Sequence, residues 1–169
     1  MATSLKNLSS YDPASIPTAE DKSFGIVVAE WNFEITNALL HGAIATLKKH
    51  GASLDDIIVK YVPGTFELTH GAKLFGEHTF VDAVIVLGCV IQGETRHFDF
   101  ICKSVTEGIT KLNLDYEMPF IFGVLTTDNQ QQAIDRSGGK YGNKGIETAL
   151  AAIKMVKLVE EMESGEDGF

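Results

Sequence analysis

At 169 residues, the chain has the length of one domain and can bury a core without disulfides or metal. Its composition, 44% hydrophobic and 22% charged, is that of an ordinary globular protein. A formal net charge of -9, from 14 Lys+Arg against 23 Asp+Glu, argues against nucleic-acid and anionic-membrane partners, which would need a basic face.

Residues 1–22 carry Ser9, Ser10, Pro13, Ser15, Pro17, Thr18, Glu20 and Asp21 with little apolar periodicity, and are read as an N-terminal arm. Phe24 to Ala29 is a continuous apolar run, the mark of a strand covered on both faces. Leu40, Ala43, Ile44 and Leu47 then repeat with helical spacing, and Gly51 is the expected stop. Ile57 to Val62 is the second strand. Phe66 to about Gly76 is a weaker helix, with Leu68, Ala72 and Phe75 on one face. Val81 to Leu87 is the third strand. Phe98, Ile101, Cys102, Val105, Ile109 and Leu112 make the cleanest amphipathic stripe in the chain. The fourth strand runs from Pro119 through Leu125, and a short helix spans Asn129 to Ser137. A glycine-rich link leads to a last helix from Ile146 to about Glu163. The final residues 164–169 read as an acidic tail, so the folded domain is placed at 23–163.

Strands alternating with helices imply βαβ units. The expected fold is α/β: a single doubly wound, flavodoxin-like domain with a four-stranded parallel sheet and helices on both faces. No apolar run approaches the roughly 20 residues of a membrane helix. The N-terminus has Lys6 as its one positive charge and no apolar h-region, so a cytoplasmic location is expected. Cys89 and Cys102 fit neither a zinc ribbon nor a C-x-x-C pair and read as reduced, buried thiols. The five histidines show no metal-ligand spacing.

In such a sheet, ligands bind outside the carboxyl ends of the strands. After the first strand comes Trp31, the only tryptophan, which either packs or offers a stacking face to a planar ligand. The loop lacks a G-x-G-x-x-G cradle, which weakens dinucleotide and FMN binding. After the second strand, Pro63-Gly-Thr-Phe-Glu67 turns directly into a helix, whose first N–H groups face the crevice. Glu67 either complements the helix dipole or accepts from ligand hydroxyls.

After the third strand, Gly88 to Asp99 is the densest segment. Gly93-Glu94-Thr95 opens a helix and forms a natural anion site, and His97 sits in the first turn outside the core stripe. There a side chain of ordinary pKa about 6.5 suits general acid/base work, against the alternative of a structural histidine. A Cys89/His97 nucleophilic pair has no evident third group. The chain's two arginines, Arg96 and Arg136, flank His97 and open a loop with Lys140 and Lys144. This placement fits a phosphate-bearing substrate, with a surface ion pair as the alternative for Arg136. The residues thus describe an α/β enzyme for condensation or proton transfer on a planar polar ring and a small phosphate ester.

Trp31-Asn32 before Ile35-Thr36, Pro63 to Glu67, Gly88 to Asp99, Phe120 to Thr127 and Asn143-Lys-Gly145, in this order, together resemble the lumazine synthase family from about Phe24 to Val159. The resemblance implies condensation of 5-amino-6-(D-ribitylamino)uracil with 3,4-dihydroxy-2-butanone 4-phosphate, releasing phosphate and water, with no cofactor and no metal. It places Trp31 against the pyrimidine ring. It places Thr65, Phe66 and Glu67 at the ribityl chain, and the main chain of Cys89, Val90 and Ile91 at the uracil edge. Glu94, Thr95 and Arg136 match the phosphate site, and His97 matches the catalytic acid/base. Phe122, Arg136 and Lys140 match residues that reach the site from a neighbouring subunit.

Cys89 stands where the family is familiar with threonine, and Glu94 where it is familiar with a small residue. The resemblance also implies a homo-oligomer, either a pentamer or an icosahedral shell of sixty subunits, with riboflavin synthase as a further candidate partner. The short link from Ser137 to Gly145 favours the shell. A flavin- or lumazine-binding module without catalysis and a purely structural shell protein are the rival classes. The presence of His97 together with Arg136 favours the enzyme over both.

Overall fold

A computed structural model of the chain describes residue 7 and residues 9–165. Four parallel strands, β1 (Phe24–Ala29), β2 (Ile57–Val62), β3 (Ala83–Ile91) and β4 (Phe120–Thr127), form one sheet in the order β2-β1-β3-β4. The strands are joined by α1 (Phe33–Lys49), α2 (Leu68–His78) and α3 (His97–Asp115). They are followed by α4 (Gln130–Arg136) and α5 (Lys144–Ser164). This is the expected doubly wound, flavodoxin-like arrangement. No helix among the described residues is long and apolar enough to cross a membrane.

Side-chain alternation along the strands divides the core into two layers. Phe24, Ile26 and Val28 of β1, with Ala83, Ile85, Leu87 and Cys89 of β3, meet α1, α4 and α5 through Leu39, Leu47, Ala133 and Ile153. Val27, Val84, Val86 and Val124 meet α2 and α3 through Leu68, Phe75, Val105 and Ile109. Both faces are apolar, so β1 and β3 read as unbroken hydrophobic runs. Strand β2 lies at one edge of the sheet, with Ile58 and Tyr61 exposed.

Two differences from the sequence reading bear on the site. Strand β3 does not stop at Leu87: its ladder with β4 continues through Gly88↔Val124, Cys89↔Leu125, Val90↔Thr126 and Ile91↔Thr127. Gly88 is there for closeness, because a Cβ would stand 2.8 Å from Leu68 Cδ1 and 2.9 Å from Thr65 Oγ1. The glycine-rich link contains a small antiparallel hairpin, β5 (Ser137–Gly139) with β6 (Gly142–Asn143), pressed against the start of α5.

Asn143 ties this corner together. Its Oδ1 caps α5 by accepting from Gly145 N at 2.8 Å, and its Nδ2 donates to Ala38 O at 2.9 Å and Ser137 O at 3.1 Å. Its backbone N–H donates to Ser9 Oγ at 2.6 Å. The described part of the arm therefore lies on the body. Tyr11 Oη bonds His50 Nε2 at 3.1 Å, Ala19 is fully buried, and its N–H donates to His50 O at 2.7 Å. Of the acidic tail, residues 166–169 lie outside the described residues, and Ser164 still belongs to α5.

Candidate active site

The sheet winds outward to β2, then returns past β1 to β3, so the loops after β1 and β3 diverge and leave a crevice at their carboxyl ends. A cleft of about 530 Å³ occupies this place, walled by the segments that follow β1 and β2, by the end of β3 and by the first turns of α3. That volume suits a small-molecule ligand.

From β1 comes Trp31, a residue 70% exposed. It is not a core tryptophan. Its backbone N–H donates to Pro63 O at 3.2 Å, which joins its loop to the turn after β2. Asn32 follows in the left-handed conformation (φ 58, ψ 43), and its Nδ2 donates to Cys89 O at 2.9 Å.

From β2 come Gly64, Thr65, Phe66 and Glu67, in a turn that runs into α2 with Glu67 at the N-cap. Glu67 makes no capping bond with its side chain, which leaves the carboxylate beside the cleft. Thr65 is buried, whereas the ring of Phe66 is 55% exposed at the cleft.

From β3 come Cys89, Val90 and Ile91. Cys89 places its side chain in the α1/α5 core layer. Burial pushes its thiol up to about 11. A thiol held neutral in this way is a poor nucleophile, which counts against the Cys89/His97 pair. Cys102, half-buried on α3, is also raised, first by burial and then by the Asp99 carboxylate.

His97, the first residue of α3, is exposed on the far wall, where Ile101 lies half-buried. Its N–H approaches Thr95 Oγ1 at 3.4 Å. Of the residues expected from the sequence, the cleft therefore gathers Trp31, Thr65, Phe66, Glu67, Cys89, Val90, Ile91 and His97. Glu94 and Thr95 are exposed in the segment leading to α3 and do not line it.

Phe122, Arg136 and Lys140 also lie off the cleft. Phe122 packs half-buried on β4 beside the α2/α3 core layer. Arg136 ends α4, 5.6 Å from the Tyr141 ring centroid. Lys140 lies 4.8 Å over the same ring and pairs with Asp135 at 3.2 Å. Asp135 is held below the usual carboxylate range, first by a hydrogen bond from Gln131 and then by Lys140. No lysine or arginine is among the described residues lining the cleft.

Sequence reasoning missed Asn32 as a wall of the cleft, along with Gly64 and Ile101. Asn32 next to the lone tryptophan was a usable signal. Ile101 was assigned wholly to the core stripe, and no spacing distinguishes a first-turn residue that faces a ligand from one that faces the sheet.

The fold and cleft define a doubly wound α/β domain with a small-molecule site at the carboxyl ends of its strands. A family model described as 6,7-dimethyl-8-ribityllumazine synthase matches residues 21–160. A protein of that name from Parabacteroides distasonis is 61% identical over 158 residues, covering 94% of this chain and 99% of that one. The corresponding protein of Cytophaga hutchinsonii is 59% identical, covering 92% of this chain and 98% of that one. That of Porphyromonas gingivalis is 56% identical, covering 94% and 98%. The chain belongs to the 6,7-dimethyl-8-ribityllumazine synthase family, a family of transferases.

Proposed function

We propose that the protein condenses 5-amino-6-(D-ribitylamino)uracil with 3,4-dihydroxy-2-butanone 4-phosphate to 6,7-dimethyl-8-ribityllumazine, in the cleft at the carboxyl ends of β1, β2 and β3. Family membership supports the reaction. The observation that carries the site is that an exposed indole, a helix-start turn with a free carboxylate, a strand-end backbone and an exposed histidine all converge on one cleft. Trp31 stacks on the pyrimidine, and the Cys89–Ile91 backbone meets the uracil edge. The Thr65–Glu67 turn receives the ribityl hydroxyls.

The uracil's 5-amino group attacks the ketone, and water leaves to give an imine. Removal of a proton from the neighbouring carbon expels phosphate, and the resulting enol becomes a ketone. The ribitylamino nitrogen closes on that carbonyl, and a second water departs. Each step moves a proton, and His97 is the group in the cleft suited to carry it. The expelled dianion needs cationic and N–H donors. The α3 N-terminus with Thr95 supplies N–H groups, and Arg136 supplies the charge. Glu94 belongs to the same segment, and its exposed carboxylate is compatible with a bound phosphate where it turns outward to solvent.

Among the described residues the cleft lining holds no lysine or arginine, which supports completion of the site by a neighbour that brings Phe122, Arg136 and Lys140. The active unit is then a ring, a pentamer or a shell of such rings, whose heterologous interface joins two different surfaces. A cytoplasmic location fits this reading.

Incubation of the protein with both substrates tests it. Appearance of a fluorescent lumazine with one inorganic phosphate per turnover is expected. Binding of the lumazine without any turnover would leave a carrier module instead.

A further inference from the structure

Three asparagines stand at helix N-caps, and one behaves unlike the other two. Asn129 and Asn143 are extended (φ -155 and -126), and each closes its own helix: Asn129 Oδ1 accepts from Gln132 N at 3.0 Å and Asn143 Oδ1 from Gly145 N at 2.8 Å. This is the ordinary use of an N-cap asparagine. Asn32 begins α1 from the left-handed region and makes no side-chain cap. Its carbonyl still accepts from Ile35 N at 2.9 Å and Thr36 N at 3.0 Å, so the helix starts without the amide. The amide is turned across the crevice instead, where Nδ2 donates to Cys89 O at 2.9 Å.

The left-handed conformation disfavours most side chains, and asparagine is one of the few that adopt it readily. Here it faces Trp31 and the Asn32 amide toward the cleft from adjacent positions in a short loop. Two backbone bonds, Glu30 N–H to Val62 O at 2.8 Å and Trp31 N–H to Pro63 O at 3.2 Å, tie this loop toward β2, and the Asn32–Cys89 bond is the side-chain bond that ties it toward β3, beside an indole that is largely exposed.

We propose that Asn32 is a positioning residue that holds the Trp31 ring at a fixed height over the Cys89–Ile91 backbone. The stacking face and the hydrogen-bonding edge of the heterocycle site are thereby set as one unit, before ligand arrives. The inference rests on reading the cleft as the ribitylaminouracil site. It adds that the affinity for the planar ring, rather than the chemistry, depends on this bond from the loop to β3.

Trp31 is the only tryptophan, so its fluorescence reports on the loop directly. Three variants separate the two features of Asn32. Asn32→Gly keeps access to the left-handed region and removes the amide. Asn32→Asp keeps the shape and replaces the donor with an acceptor facing a carbonyl. Asn32→Ala loses both features. Trp31 anisotropy in the ligand-free protein is expected to fall in all three.

The KM for ribitylaminouracil is expected to rise about ten-fold in the Gly and Asp variants, the effect of one lost hydrogen bond. Saturated kcat should stay within about three-fold, and the KM for the butanone phosphate should not move. Wild-type anisotropy and KM in the Gly and Asp variants would overturn the proposal. So would parallel losses in kcat and both KM values with a lowered unfolding midpoint, which would mark a general structural role. If the wild-type protein turns over neither substrate, the functional reading fails. The anisotropy comparison then still decides whether Asn32 holds the ring.

Discussion

Gly64 passes directly beneath the Trp31 indole: a Cβ on Gly64 would stand 3.5 Å from Trp31 Cε3 and 3.1 Å from Glu67 Oε2. The first distance is ordinary contact, and the second forces the carboxylate to give by a few tenths of an ångström. Gly64 does not adopt a positive φ, so alanine meets no backbone strain there. The Gly64→Ala variant is expected to keep its stability within about 0.5 kcal/mol. Its KM for ribitylaminouracil should rise about three-fold at constant kcat, since a hydrogen bond weakens steeply with misalignment. Steady-state kinetics check this, and an unmoved KM would detach Glu67 from the ribityl chain.

His97→Ala is expected to slow turnover without abolishing it. A general acid/base group contributes about 10²–10⁴-fold, and the low end applies here because holding an amine against a ketone supplies much of the rate. Single-turnover fluorescence of a correctly folded variant measures the loss. A rate equal to wild type would remove His97 from the mechanism.

Arg136→Ala should act on the other substrate. Loss of a hydrogen bond to a charged group costs about 1.5–3 kcal/mol, which raises the KM for the butanone phosphate about 10- to 150-fold and leaves ribitylaminouracil nearly untouched. If His97 and Arg136 come from different subunits, as proposed, co-assembly of the two variants in equal amounts restores about one quarter of the sites, since each group is intact with probability one half. The comparison is the same two variants assembled separately and then mixed. Activity no higher than in that mixture would place both groups in one subunit.

Cys89 gives the stability a pH dependence of known sign. Its thiol is raised to about 11 in the fold, against about 8.5 in an unfolded chain. The native state therefore keeps its proton where the unfolded chain has lost it. The associated stability is fully present below pH about 8.5 and drains away as pH rises toward 11. Urea midpoints across that range should fall more steeply for the wild type than for Cys89→Ala. Equal slopes would mean that the thiol is not held neutral.

Asn143→Ala strips three side-chain hydrogen bonds from a buried corner, those to Gly145 N, Ala38 O and Ser137 O. A loss of about 2–4 kcal/mol in unfolding free energy is expected. A loss under about 1 kcal/mol would show that water takes over the amide's place.

The sheet was legible because both its faces are buried, so Phe24–Ala29 and Ala83–Ile91 stand out as apolar runs with no competing period. The end of β3 was not legible. Gly88 looks like punctuation in a sequence, and only the nearness of Leu68 and Thr65 shows that it is a contact point inside a continuing strand. The cleft's main walls could be located because the strand ends say where loops must meet. Asn32 was legible only as the neighbour of Trp31, since a left-handed φ and a bond across 57 residues leave no trace in local pattern. Arg136 belongs to the same difficulty at a larger scale. Its partner surface, if it belongs to another copy, is not a property of one chain's order of residues.

The outer strand β2 also bears on how the molecule fares as it is made. Its free edge carries unpaired backbone groups beside the exposed Ile58 and Tyr61, with Lys60 as its only charged side chain. Such an edge is a template for any extended segment that drifts past it. A freshly made copy exposes that edge as soon as it folds, so capture by other nascent chains competes with its staying a separate folded molecule. Crowded synthesis lengthens the odds against it, while cool, slow expression shortens them.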